Sequence, residues 1–443
     1  MIQSVLGRFR VSFAVEALPS SDERLEAHGG RNMKKVIGTV AALSLALVAG
    51  ATVQGQSKIT IWTDFGTEEL KWFSAAANAF EKTPAAKGAK LEVVAVPLGE
   101  NRDKFIQSAP KGEGPDLIAT IPHDQVGQFA SAGVLEPMDK YLTVGFKADV
   151  AESGLDAFNY KGRTFGIPMF GEAVALIYNK KLLPGGIPKT WDEFIKVSQN
   201  LTNLEKQQFG FLSPIGIQYH MHGFYRAFGA YVFGKNKDGS LNINDIGLAN
   251  AGAVKAAQML NDLRFKFKLI PEGAEDDGLQ TDLFAKGNLA MWLNGPWKMA
   301  DIKKAKIDYG IGLPPRPTGA TQDFQPFIGV RGVVMNAYSK QKAITSEFAK
   351  FLVSNANQVS LFKTGGRLPI SKSAVRQLGK DPVAAGFGAA IAKGIPMPNI
   401  PEMGQVWGPW GDALNLSIKT ANADIAGLHA KGVEQIKAAI IKK

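Results

Sequence analysis

Residues 58–82 read KITIWTDFGTEELKWFSAAANAFEK. KITIWTD places apolar side chains on alternate residues, the period of a strand. After the break at Phe65-Gly66, TEELKWFSAAANAFEK repeats them at three- and four-residue intervals, the period of a helix. The stretch is therefore strand, loop, helix. The same order recurs outward: LEVVAVPL (91–98) is a second strand, DKFIQSAP (103–110) a short helix and PDLIATI (115–121) a third strand. HDQVGQFASAG (123–133) follows as a helix that Asp124 caps and Gly133 ends. Alternating β and α units with β-branched strands predict an α/β fold whose parallel sheet is covered by helices.

A second block continues the pattern. FGIPMFGEAVALIYN (165–179) joins two strand-like runs through Gly171-Glu172, and KTWDEFIKVSQNL (189–201) is a helix opened by Thr190 with acids in its first turn. NAGAVKAAQMLNDLRF (250–265) is amphipathic, TDLFAKG (281–287) is a short helix ended by Gly287, and NLAMWL (288–293) is a strand. YGIGLPP, FIGVRGVVMNA and a C-terminal helix, VEQIKAAIIKK, complete the chain, with no internal repeat of fixed period. In open α/β sheets ligands bind beyond the carboxyl ends of strands. That rule selects residues 64–67, 122–124 and 294–297. In AMWLNGPWKM (290–299), Trp292 belongs to the strand, whereas Pro296 suits a first helical position and sets Trp297 at the loop mouth.

A chain of 443 residues, 45% hydrophobic and 21% charged, has room for two or three domains. The segment MKKVIGTVAALSLALVAGATVQG, from Met33, has a basic start, an apolar run and an A-x-A site at residues 49–51, the pattern of a cleaved export signal. Residues 33–51 are thus read as a signal peptide. Residues 1–32 are read as a non-native extension, with Met33 as the true start. The absence of cysteine excludes thiol catalysis, thiolate metal sites, disulfides and a lipid-modified cysteine, so a free periplasmic protein is expected. The net charge of +11 falls to +9 without residues 1–51, which hold six Lys/Arg and four Asp/Glu. Because the cations are dispersed among acids, a solvated basic surface is expected and no nucleic-acid partner.

Catalytic motifs are missing: there is no G-x-S-x-G, no phosphate-binding G-x-x-x-x-G-K-[ST], no H-E-x-x-H, and no G-x-G-x-x-G after a strand. His220 and His222 form an H-M-H without a further ligand at metal spacing, so neither metal nor cofactor is expected. Aromatics instead gather beside Gly and Pro: Trp62, Trp297, Trp407, Trp410, Tyr219 and Tyr225. Sugar rings present C–H faces that stack on aromatics, while their hydroxyls seek carboxylates and amides. For Trp297 and Trp407, a core position and a stacking surface both remain open on these grounds.

Five stretches in one order carry a resemblance: residues 112–142 (GEGPDLIATIPHDQVGQFASAGVLEPMDKYL), 171–183 (GEAVALIYNKKLL), 284–299 (FAKGNLAMWLNGPWKM), 327–340 (FIGVRGVVMNAYSK) and 397–414 (MPNIPEMGQVWGPWGDAL). Together they resemble the solute-binding proteins of carbohydrate ABC transporters, of the maltose and trehalose/maltose type, from about Lys58 to the C-terminus. The resemblance implies a two-lobed periplasmic-binding-protein fold, each lobe a mainly parallel sheet flanked by helices, with the ligand cleft between lobes. It implies an N-terminal lobe of residues 52–170 and 333–376, a C-terminal lobe of 175–326 and 383–443, and hinge crossings at 171–174, 327–332 and 377–382. It also implies roles: Asp64, Asp124 and Glu172 as acceptors of sugar hydroxyls, and Tyr219, Trp297 and Trp407 as stacking surfaces.

Three departures matter. Ile121 stands where enterobacterial maltose-binding proteins carry an aromatic, Thr67 where they carry a lysine, and Ile217 where an acid is expected. GGRLPISKS (365–373) and VWGPWGD (406–412) are instead similar to the thermophile-type branch, which implies contacts from Glu69, Arg367 and Trp410 and favours a short ligand. The expected activity is capture without conversion: a monomer that closes on maltose, trehalose or short maltodextrins and hands them to an inner-membrane ABC permease. A secreted glycoside hydrolase, or the same fold binding a non-sugar solute, are the alternatives.

Overall fold

Strand Lys58–Thr63 buries Ile59, Ile61 and Thr63 on one side, as its alternation requires, and helix Thr67–Glu81 buries Phe73, Ala76, Ala77 and Phe80 along one stripe. Each fully buried phenylalanine contributes about 1.5–3 kcal/mol. Glu68 and Glu69 occupy the first turn of that helix, where the backbone dipole favours negative charge. The computed structural model describes residues 57–442. The expectations for residues 1–51 lie outside the described residues.

Two sheets organise the chain. The first runs Leu368–Pro369, Ile167–Glu172, Phe327–Met335, Leu117–Pro122, Lys58–Thr63, Lys90–Ala95, and Ile395–Pro396 adds to the Phe327–Met335 strand. The second runs Tyr309–Gly312, Ala175–Asn179, Leu289–Asn294, Phe209–Leu212. The fold is the expected two-lobed α/β architecture, but the sheets are mixed rather than mainly parallel. Lys58–Thr63 pairs parallel with both neighbours, whereas Phe327–Met335 enters antiparallel to Leu117–Pro122 and to Ile167–Glu172. In the second sheet Leu289–Asn294 is parallel to Phe209–Leu212 and antiparallel to Ala175–Asn179. The reason is connectivity: a strand that returns from the other lobe arrives without the crossover helix that makes neighbours parallel.

The chain passes from the first sheet to the second across Ala173-Val174, returns between Gly312 and Phe327, and leaves again after Leu378, because helix Pro382–Lys393 packs on Tyr309–Gly312. Helix Trp191–Leu201 starts at a capping box in which Thr190 and Glu193 each satisfy the other's backbone N–H. Asp124 does not cap the following helix. A 3-10 turn begins at His123, directly after the strand, which places Asp124 inside the first turn with its side chain free for other contacts. Phe65, Phe73, Phe80 and Phe348 pack on one face of the first sheet and Phe105, Phe129 and Phe158 on the other; Trp292, Phe211, Phe284 and Trp410 belong to the core of the second lobe.

Candidate functional site

The carboxyl ends of the first-sheet strands face a cleft of ≈ 580 Å³, within the range of sites that enclose small ligands. Asp64, one residue beyond its strand, lies on the floor. Its Oδ1 accepts from the Thr120 hydroxyl at 2.5 Å, and its Oδ2 accepts from Arg331. Burial pushes the Asp64 carboxyl up, but the Arg331 charge and the two hydrogen bonds outweigh it and hold the group below the usual carboxylate range. Thr120 adopts φ 68°, a left-handed conformation that a β-branched residue rarely takes, and its hydroxyl is bound to Asp64 there.

Glu172 ends its strand opposite Gly329 and is 5% exposed. Its Oε2 accepts from Arg367 Nη1 at 2.7 Å, and Arg331 Nη1 lies 3.6 Å from Oε1. Arg367 also forks onto Glu69, with Nε to Oε1 at 2.5 Å and Nη2 to Oε2 at 2.9 Å, while its guanidinium lies over the rings of Phe65 and Phe170. Two glycines make this possible. Gly366, at φ +75°, turns the chain out of the preceding helix, and a Cβ on Gly365 would stand 2.3 Å from Glu69 Oε1. The floor is thus three carboxylates tied by two buried arginines.

Asp124 stands apart from that network. Its Oδ2 accepts from Trp407 Nε1 at 3.0 Å, and with no ion-pair partner among the described residues, burial pushes its carboxyl up to about 6 although the indole N–H works the other way. Next to it, His123 is buried and neutral: Val330 N–H donates to Nδ1 at 3.1 Å, so Nε2 carries the proton given to the Met397 carbonyl at 3.0 Å.

Aromatics build the opposite wall. Tyr219, on helix Gln218–Ala227, stacks on Phe327 and donates to the Glu172 carbonyl at 3.4 Å. Trp297 sits on the 3-10 turn Pro296–Lys298, its ring 6.0 Å from Tyr219. A Cβ on Gly295 would stand 2.1 Å from the Trp297 ring, so the Asn-Gly-Pro break needs glycine for the indole to lie where it does. Trp407 opens helix Trp407–Lys419 and stacks nearly parallel on Trp410.

Asp64, Asp124, Glu172, Tyr219, Trp297, Arg367 and Trp407 all line this cleft. Glu69 and Trp410 do not. Glu69 stands behind Arg367, and Trp410 is buried beneath Trp407 among Tyr225, His222 and Phe327. Sequence reasoning missed Arg331, Arg102, Gln218, His220 and Met397, which also line it. Arg331 had a signal, since a lone arginine inside the apolar run FIGVRGVVM calls for buried partners; Arg102, on a solvated helix, had none. Among the described residues no group of three or more His, Asp or Glu side chains is placed to hold a metal, and His220 and His222 turn to different partners, Asn294 and Phe327. A recess of ≈ 640 Å³ on the second lobe has exposed polar chains such as Asp192, Lys196, Lys255 and Gln258 around apolar side chains such as Trp191 and Met259, and no buried charges converge in it.

Residues 75–386, more than half the chain, match the family model of the bacterial extracellular solute-binding proteins. The chain belongs to that family. Among relatives of this solute-binding protein, the galactooligosaccharide-binding protein of Bacillus subtilis is 31% identical over 402 residues, covering 87% of this chain and 91% of the relative. The maltotriose-binding protein of Pyrococcus abyssi is 29% identical over 391 residues, covering 86% and 82% respectively. Among solved structures, that of the Thermus thermophilus maltotriose-binding protein bound with maltotriose is 48% identical, with a TM-score of 0.83 over 86% of this chain and 100% of the other. Among the described residues of the solute-binding protein, no helix is long and apolar enough to cross a membrane.

Proposed function

We propose that this protein captures short gluco-oligosaccharides, of the maltose, trehalose and maltotriose class, by closing its two lobes over them, and delivers them to an ABC permease. The observation that carries the reading is the pairing of walls: Tyr219, Trp297 and Trp407 face Asp64, Asp124 and Glu172 across one cleft. Aromatic faces take the C–H surface of a sugar ring, and carboxylates take its hydroxyls. A structure 48% identical to this chain was solved bound with maltotriose, which supports the ligand class.

The proposed lobes are residues 52–170 with 333–376, and 175–326 with 383–443, hinged at 171–174, 327–332 and 377–382. Sugar held by the floor gains the tryptophan contacts only on closure, which supplies the differential affinity that shifts the population to the closed form. We further read the protein as a monomer, exported by the segment beginning at Met33, cleaved near Ala51, and, without cysteine, free of a lipid anchor. The mass of the mature protein from the periplasmic fraction checks cleavage and anchoring together.

One observation favours a second reading, a glycoside hydrolase: Asp124 is pushed up and Asp64 held down, the split expected of an acid and a nucleophile. Against it, both Asp64 oxygens are occupied by Thr120 and Arg331. The test is a thermal-shift titration with maltose, trehalose and maltotriose, paired with a glucose assay. A ligand at a hundred times its Kd adds about 2.7 kcal/mol to apparent stability. No shift with any of the three defeats the binding reading, and glucose release proportional to protein favours the hydrolase.

A further inference from the structure

His220 lines the cleft beside Tyr219, yet neither its residue type nor its position in the chain marks it for sugar contact. Its ring meets Trp297 edge to face, with centroids 5.6 Å apart at 82°, and Tyr219 at 6.2 Å and 80°. Its Nε2 lies 3.3 Å from Asn294 Oδ1. The proton at that contact follows from the partners. Asn294 Nδ2 donates to Asp277 Oδ1 at 2.8 Å, and Oδ1 already accepts the Gly295 N–H at 2.8 Å, so the Asn294 oxygen faces the imidazole. Burial moves the His220 imidazole down to about 4, against the Asn294 hydrogen bond and the Asp277 charge, so the neutral ring carries its single proton on Nε2. The Asp277 carboxylate is in turn held by Lys298 at 2.5 Å, immediately after Trp297.

Asn294 is fully buried and is the first residue of the Asn-Gly-Pro break, so the groups that hold its side chain fix where the break begins. Trp297 follows three residues later on a single 3-10 turn whose N-terminal residue, Gly295, has no side chain with which to cap it. The indole is therefore oriented by what touches it and by the anchoring of Asn294, and His220 contributes to both, beside Tyr219 on the ring and Asp277 on the amide.

We propose that His220 is a positioning residue for Trp297: its Nε2–H fixes Asn294 and its ring edge bears on the indole, which together set the stacking surface of the second lobe. This rests on reading the cleft as a sugar site. Two substitutions separate the hydrogen bond from the ring. His220→Phe keeps the ring and removes the donor; His220→Gln removes the ring and keeps an amide donor near the Nε2 position. Isothermal titration with maltotriose is run beside near-UV circular dichroism of the ligand-free proteins, each measured with and without Trp297→Phe to isolate the Trp297 signal. The expected result is a loss of about tenfold or more in affinity for H220F, equivalent to about 1.4 kcal/mol, with an altered Trp297 signal. H220Q, which restores the donor but not the ring, should fall between the parent and H220F in both affinity and signal. H220F matching the parent, or H220F and H220Q behaving alike, overturns the proposal. A parent protein that binds no maltotriose defeats the sugar-site reading instead, and the ligand-free Trp297 signal then decides the role of His220 alone.

Discussion

Replacing Arg367 by methionine should cost about as much as emptying one of the buried phenylalanine sites of the first lobe. The side chain is 9% exposed and makes three charge-assisted hydrogen bonds, two to Glu69 and one to Glu172. Methionine fills much of the volume and keeps contact with Phe65 and Phe170, so the change is mainly electrostatic. Glu172 retains Arg331 at 3.6 Å, but Glu69 is left buried with no cation beside it. Breaking a buried pair from one side costs about 3–5 kcal/mol, whereas removing both members is often near neutral. Glu69→Met alone leaves Arg367 on Glu172, and its cost should be nearer the ~1.5–3 kcal/mol of a charged hydrogen bond. The double variant should therefore be no less stable than Arg367→Met, giving a coupling of at least about 1.5 kcal/mol in a double-mutant cycle. Urea unfolding of the four ligand-free proteins at pH 7 measures it, and 0.5 M NaCl should change little because the pair is shielded from solvent. An Arg367→Met cost below about 1 kcal/mol, or additive single effects, would refute the account of the floor as one coupled network.

Asp124→Asn should stabilise the ligand-free protein by about 1–3 kcal/mol at pH 7, because a buried carboxyl raised above its unfolded value takes up protons on folding; stability then grows as pH falls from 7 toward 4. Urea midpoints across that range should show the trend in the parent and lose it in the variant, while maltotriose affinity in the parent weakens below about pH 6. Trp292→Ala, which empties a fully buried site and removes the donor to Gln280 Oε1, should lower ligand-free stability by about 3–5 kcal/mol. Trp297→Ala should leave ligand-free melting nearly unchanged and abolish the sugar-induced shift, and the same pair of melts distinguishes the two. Gly295→Ala, whose Cβ has no room beside the Trp297 ring, should weaken maltotriose at least tenfold with a melting temperature close to the parent's, read by calorimetry of both.

Local chemistry explains what the sequence made legible. The stripe of Phe73, Ala76, Ala77 and Phe80, the helix start at Thr190 and the Pro296 turn are each decided within a few residues, and each stands in the structure as its pattern predicts. The separation of Trp292 from Trp297 was readable for the same reason, since a strand and a helical turn place neighbours in different surroundings. What was not legible depends on partners distant in the chain. The antiparallel entry of Phe327–Met335 follows from a return between lobes that no local period encodes. Asp124 looked like a cap because Asp before an apolar run usually is one, and only the early turn at His123 and the arrival of Trp407 from 283 residues away give it another partner. Arg331 joins Asp64 across 267 residues, a pairing that composition cannot suggest.

The distribution of hydrogen bonds over the floor bears on where recognition is concentrated. Asp64 has both oxygens engaged, Glu69 has both taken by one arginine, and Glu172 is shared between two. Each of these oxygens keeps a second lone pair for a sugar hydroxyl, but a hydroxyl that had to displace the existing partner would compete with a charged, preorganised donor. Asp124 differs: its partner is the neutral indole N–H of Trp407, which reaches it from the opposite wall. A neutral donor is the easier one to share or displace, and doing so engages both walls at once. On the proposed reading, the arginines keep the floor rigid and charged, whereas the Asp124–Trp407 contact is where a ligand would engage both walls at once. It follows that loss of the Asp124 carboxylate should weaken sugar binding out of proportion to the single hydrogen bond seen there, while stability moves in the opposite direction.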